Sequence, residues 1–170
     1  MNLNFSPETS RNTVFERIGE FLSTLKFRVV DKDQTRPWGG FYVIDEDQSK
    51  EFIKAFFPAV DTSFLEGSKL SPKILIVAPE KRLSWQYHFR RAELWKVLSE
   101  EVGVIRSDTD DEKEKEKYGK GSVINLKRGE RHRLIGLDTW GIVAEIWEHS
   151  ENNDPSDEKD IVRLQDDYGR

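Results

Sequence analysis

The chain has 170 residues, 36% apolar and 35% charged, with a formal net charge of −5. That length and apolar content fit one domain with a full core, and the acidic balance gives no general affinity for nucleic acid. The chain has no cysteine, which excludes disulfides and a thiolate metal site, and no apolar run nears membrane-spanning length.

The opening stretch, MNLNFSPETSRN, lacks the basic-then-apolar pattern of an export signal. A cytoplasmic protein is therefore expected. From Arg11 to Lys26, the residues Val14, Phe15, Ile18, Phe21, Leu22 and Leu25 recur at helical spacing. This predicts an amphipathic helix packed on the outside of a sheet. The same stripe would also suit a homodimer. Phe27–Val30 reads as a short strand, Asp31–Thr35 as a polar link, and Arg36–Asp45 as a turn running into a strand. Phe52–Val60 is apolar but contains Pro58, so an irregular or edge segment is expected. Asp61–Pro72 reads as a loop and Lys73–Ala78 as a buried strand.

The stretch Leu83–Trp95, LSWQYHFRRAELW, concentrates the chemistry. Gln86 and His88 are two apart, so on a strand they share a face. Phe89–Ala92 can turn the chain, and Glu93 would open a second strand of the same hairpin. An amide oxygen, an imidazole and a carboxylate then converge, three donors suited to a divalent metal. His132, in KRGERHRL, is the obvious fourth. Zinc is the metal expected first, with manganese, iron, nickel and cobalt as alternatives.

Further strands are expected at Val102–Ser107, Gly121–Leu126, Arg133–Ile135 and Trp140–Trp147. The charge run Asp108–Lys120 reads as a solvated hairpin loop, Ser150–Lys159 as exposed, and His149 as an exposed residue after the last long strand. One helix followed by many short strands with turn signals points to an all-β sandwich or barrel.

The same residues carry a resemblance. LSWQYHFRRAELW looks like the first metal-binding motif of a cupin, and more narrowly like LSLQMHHHRAEHW of type II phosphomannose isomerases. Gly121–His132 is similar to the second cupin motif. RPWG at Arg36–Gly39, IVAPEKRLS at Ile76–Ser84, GERHRL at Gly129–Leu134 and DIVRLQDDYGR at Asp160–Arg170 resemble further segments of that family, in order. Phe89, Arg90 and Leu94 stand where the family has histidines. The resemblance implies a cupin jelly roll, a double-stranded β-helix, over residues 36–170; residues 1–35, the helix and link read from the periodicity, lie outside it and are expected to pack on the barrel. It also implies that Gln86, His88, Glu93 and His132 hold the metal. The activity it implies is metal-dependent conversion of mannose 6-phosphate to fructose 6-phosphate through an enediolate. A cupin that binds a sugar phosphate without turnover and a cupin oxygenase are the alternatives.

Four further residues are candidates for the substrate and the chemistry. Arg91 offers a planar guanidinium to phosphate or sugar oxygens, or pairs with surface acids. Lys73 begins a buried strand and either faces the pocket or lies at the surface. If the tail folds back, as the resemblance suggests, Arg163 reaches the pocket. Glu145 alternates with Val143 and Trp147; it is an acid–base group, a partner to one, or a surface residue.

Overall fold

The structure, a computed structural model, describes residues 2–61, 63–65 and 67–169. Its helices are α1 (Arg11–Thr24) and α2 (Ser49–Phe56). Its strands are β1 (Val29–Asp33), β2 (Gly39–Ile44), β3 (Leu70–Val77), β4 (Trp85–His88), β5 (Arg91–Val97), β6 (Glu101–Ser107), β7 (Glu116–Gly119), β8 (Val123–Leu126), β9 (Arg131–Ile135), β10 (Gly141–His149) and β11 (Ile161–Gln165). They form two antiparallel sheets, one ordered β1-β2-β3-β10-β5-β8 and the other β11-β4-β9-β6-β7. This is the jelly roll that the strand pattern and the resemblance lead one to expect.

The strand period of two explains how one sheet serves two cores. Ile74 and Ile76 of β3, Ile142, Ala144 and Ile146 of β10, and Leu94 of β5 face outward. They pack with Val14, Phe15, Ile18 and Leu22 of α1 and with Phe52 and Phe56 of α2. Alternate residues Leu75, Val77, Val143, Trp95 and Val97 face inward and meet Val102, Val104 and Leu134 of the other sheet. The central strands are covered on both sides, which is why KILIV and GIVAEIW read as nearly unbroken apolar runs.

Helix α1 begins where Ser10 accepts a hydrogen bond from the Thr13 backbone N–H and ends before Lys26, whose φ of 62° is left-handed. Arg11 fastens the helix to the turn into β2, donating to the carbonyls of Gln34, Arg36 and Gly39. Gly39 (φ 142°) belongs there because a Cβ would meet the Ile76 carbonyl oxygen at 2.0 Å.

Several expectations need correction. Phe52–Val60 is not an edge segment: its first half lies in α2. Phe52 and Phe56 are one helical turn apart and pack at a ring-centroid distance of 4.6 Å, and Pro58 falls beyond the helix end. The strand placed at Phe27–Val30 runs instead over Val29–Asp33, so much of the polar link pairs with β2. Strand β3 begins at Leu70, inside the stretch expected to be loop, of which Thr62 and Glu66 lie outside the described residues.

Strands β4 and β5 do not form a hairpin. They lie in different sheets, and Phe89–Arg90 carries the chain across. The charge run is the exposed loop of the β6–β7 hairpin, as expected, with its last residues forming β7; three contacts tether it, Trp85 donating to the Asp110 carbonyl, Arg131 pairing with Asp110 and the fully buried Arg133 with Glu112. Ser150–Lys159 is not uniformly exposed, since Ser156 is buried. The tail does fold back, and β11 pairs with β4.

Candidate metal centre and adjoining pocket

Both sheets contribute to one end of the barrel interior. On the five-stranded sheet Gln86 of β4 pairs with His132 of β9, and His88 lies two residues on, on the same face. On the six-stranded sheet Glu93 of β5 lies opposite Trp147, while Lys73, Glu145 and Trp95 form one cross-strand row. His88, Glu93 and His132 are all buried, and their donor atoms lie within 4.8 Å of one another. Glu93 therefore meets the two histidines across the barrel rather than along a hairpin.

Glu93 is the hub. Its Oε1 is 3.1 Å from His88 Nε2 and its Oε2 is 3.4 Å from His132 Nε2. Trp95 Nε1 donates to Glu93 Oε2 at 3.1 Å and to Glu145 Oε1 at 2.9 Å. His132 Nδ1 lies 2.9 Å from the Glu130 carbonyl oxygen, a contact that requires a proton on Nδ1. Its buried Nε2 has no hydrogen-bond partner and faces a carboxylate oxygen.

These residues fit a divalent cation. Two lone-pair atoms facing each other in a buried site favour a positive charge between them, and the donor set is nitrogen and oxygen. Ligands bound at about 2.1 Å with right-angle to tetrahedral spacing stand about 3.0–3.4 Å apart, which brackets the two separations to Glu93. The ionisation states fit as well. Burial lowers His88 to about 4, against the pull of Glu93, so the imidazole is neutral near pH 7. Burial pushes Glu93 up, but Arg91, then His88 and His132, outweigh it and hold the carboxyl well below its usual range. Neutral imidazole and ionised carboxylate are the forms a metal binds.

A pocket adjoins this cluster. Its lining includes Gln86, Lys73, Arg91, Glu93, Glu145 and Arg163. All the sequence-selected candidates except the two histidines thus meet in one cavity, and the histidines lie against Glu93 at its wall. Gln86 is half-buried, and its Oε1 accepts from Ser84 Oγ. Lys73 Nζ lies 3.2 Å and Arg91 Cζ 3.5 Å from the centre of the Trp147 ring. Burial pushes Glu145 up to about 8, with the Glu93 charge adding to it, and lowers Lys73 to about 8 against the opposing pull of Glu145. Arg163 reaches the pocket from β11 and contacts Glu158 at 3.4 Å. Among the described residues, Trp38 Nε1, Trp147 Nε1 and Arg163 Nε are buried donors without partners, and all three residues line the pocket.

The sequence reading missed the polar support around the site. His149 is not exposed: it is the last residue of β10 and 3% exposed. Its Nδ1 accepts from the Ser156 backbone N–H, and its Nε2 lies 2.9 Å from Ser71 Oγ. Asp160 accepts from the backbone N–H groups of Phe89 and Arg90 and from Ser156 Oγ. Its position at the head of DIVRL was the only signal for it. Phe89 is 63% exposed, Arg90 pairs with Asp154 and Asp157, and Leu94 packs with the helices. The three departures from the family's histidines are therefore not part of the His/Glu/His cluster.

Two sheets closed around a His/Glu/His cluster define a cupin. A sequence comparison is more specific: residues 47–166 match the family Mannose-6-phosphate isomerase C-terminal, and the chain belongs to that family. No curated protein matches it. Among solved structures it is similar to an oxalate decarboxylase of Bacillus subtilis (TM-score 0.56, 12% identity, 79% of this chain and 30% of that one). It is also similar to vicilin of tomato, Solanum lycopersicum (0.51, 16%, 77% and 32%), and to the capsular polysaccharide assembling protein CapF of Staphylococcus aureus (0.50, 17%, 82% and 34%). At these identities the likeness is one of fold, and the chain spans about a third of each of these proteins. No helix among the described residues is long and apolar enough to cross a membrane.

Proposed function

We propose that this protein is a metal-dependent sugar-phosphate isomerase that interconverts mannose 6-phosphate and fructose 6-phosphate. The observation that carries this reading is the meeting of the His88, Glu93 and His132 cluster with Lys73, Arg91 and Glu145 at one pocket. Membership of the Mannose-6-phosphate isomerase C-terminal family supports it.

His88, Glu93 and His132 would hold the ion, with Gln86 as the fourth protein ligand. When bound, a divalent ion supplies charge stabilisation to adjacent sugar oxygens. Isomerisation removes the C2 proton of the aldose, gives an enediolate and returns a proton to C1. Lys73 and Glu145 are assigned to these transfers. They are cross-strand neighbours, and each is brought to about 8, where both protonation states are accessible near neutrality. Arg91 and Arg163 receive the phosphate, and the unpartnered N–H groups of Trp38 and Trp147 meet sugar hydroxyls.

The test is turnover of mannose 6-phosphate by purified protein of measured metal content. Activity that requires metal and is lost in His88→Ala supports the assignment. Metal-loaded protein that is stabilised by the sugar phosphate but never converts it is a binding protein instead.

A further inference from the structure

Arg91 lies inside the donor cluster rather than beside it. Its side chain is 1% exposed. Its Nε donates to Glu93 Oε1 at 2.7 Å, its Nη2 to His88 Nε2 at 3.0 Å and its Nη1 to Ser156 Oγ at 2.9 Å. The first two contacts use lone pairs that a metal ion would use. Glu93 Oε2 and His132 Nε2 are left untouched by the guanidinium. One half of the donor set is thus engaged by a cation that belongs to the chain, while the other half meets only the neutral Trp95 N–H, at Glu93 Oε2.

A guanidinium suits this role. It keeps its charge at any ordinary pH, its planar fork engages two acceptors at once, and it is more weakly hydrated than an ammonium. Two further contacts hold it. Ser156 Oγ, which itself donates to Asp160 Oδ2 at 2.6 Å, holds Nη1, and the Trp147 ring lies 3.5 Å from Cζ. The Trp147 ring is also part of the pocket wall, so it offers the guanidinium a cation-binding face on that side.

We propose that Arg91 is a resident counter-cation of this centre. In the metal-free protein it holds Glu93 and His88 together. It competes with a metal ion for His88 Nε2 and Glu93 Oε1, Ser156 holds it against those atoms, and metal binding drives it off them along the Trp147 face toward the pocket. Ser156 is then a positioning residue: it acts on the centre through Arg91. The displaced guanidinium also becomes available to an anion in the pocket, so metal and anion favour each other's binding, and the coupling is reciprocal. The inference rests on the metal-centre reading above.

The experiment measures zinc and manganese dissociation constants by competition with a chelating dye, together with the melting temperature of each metal-free protein. The proteins are wild type, Arg91→Met and Ser156→Ala. The account expects Arg91→Met to bind metal at least about tenfold more tightly, since a nearby positive charge and a competing donor are both gone. It also expects that variant to melt lower without metal, because the buried Glu93 loses its guanidinium partner. Ser156→Ala should move both quantities the same way by less, and it carries the test if Arg91→Met does not fold. A titration followed by NMR should shift the Arg91 Nε–H resonance of the wild type as metal is added.

Equal or weaker metal binding in the folded variants, or an unmoved Arg91 resonance, overturns the competition and leaves the metal centre standing. No metal binding in any of the proteins overturns the metal centre and this inference with it. Metal binding by Arg91→Met but not by wild type supports the proposal in its strongest form.

Discussion

The two faces of strand β10 do different work within nine residues. Ile142, Ala144 and Ile146 point outward into an apolar layer closed by α1 and α2. Val143, Glu145, Trp147 and His149 point inward, and along that face the chemistry changes. Val143 sits in the apolar core between the sheets; Glu145 and Trp147 line the pocket, and His149 ties its support together. The outer face is designed for packing alone. The inner face is core at one end of the barrel and a set of buried, mutually compensating charges at the other. Buried charges persist only when partnered, so Glu93, Arg91, Glu145 and Lys73 hold one another, and stability and chemistry are coupled at that end only.

The largest expected effect breaks the outer face. Ile146→Asp places a carboxylate among apolar side chains with no partner and should cost on the order of 5 kcal/mol, enough to prevent folding. Ile142→Ala, which only leaves a cavity, should cost about 2–5 kcal/mol. Equilibrium denaturation measures both, and ligand affinity per folded molecule should be unchanged in Ile142→Ala.

Next comes the polar support. Asp160→Ala leaves the Phe89 and Arg90 N–H groups and Ser156 Oγ without their acceptor. It should lower stability by about 1–3 kcal/mol and weaken ligand binding together with it. An unchanged melting temperature would show that the tail does not brace this end.

Smaller still is Glu145→Gln. It keeps an acceptor for Trp95, and because Glu145 is pushed up toward a neutral form, the change should alter stability by less than about 1 kcal/mol. Activity should nevertheless fall steeply if Glu145 moves protons. A loss of stability without a loss of turnover would reverse the comparison at this residue.

The pH dependence of the metal-free protein sharpens it further. His88 and His149 are both lowered to about 4 from an ordinary 6.5, burial being the main cause. Between pH 6.5 and 4.5, unfolding therefore takes up protons at both histidines. Glu145, raised to about 8, releases one on unfolding over the same window. Two against one, stability falls as pH is lowered, and below 4.5 the depressed Glu93 adds to the fall. His149→Gln removes one of the two and should flatten the melting temperature between pH 6.5 and 4.5.

The same comparison explains what could be read from the sequence. The apolar runs KILIV and GIVAEIW, the stripe of α1 and the spacing of Gln86 and His88 are local patterns, and they were legible. Alternation tells which residues share a face but not which sheet a strand joins, so the β4–β5 crossing read as a hairpin. Phe56 packs on Phe21 of α1, and Phe52 and Phe56 both pack on Phe27, from a segment too short for periodicity to distinguish helix from strand. His149 and Ser156 looked exposed because their partners, Ser71 and Arg91, come from distant parts of the chain. The polar end of the barrel is built from such long-range pairs, and there local patterns carry least.

The most direct test of the central claim is proton exchange at C2 of mannose 6-phosphate in deuterated water, followed by NMR with metal-loaded protein. The account predicts deuterium at C2 of recovered mannose 6-phosphate and at C1 of the fructose 6-phosphate formed, both lost on adding chelator and in His88→Ala. Metal-loaded protein that binds the sugar phosphate while C2 keeps its proton would contradict it.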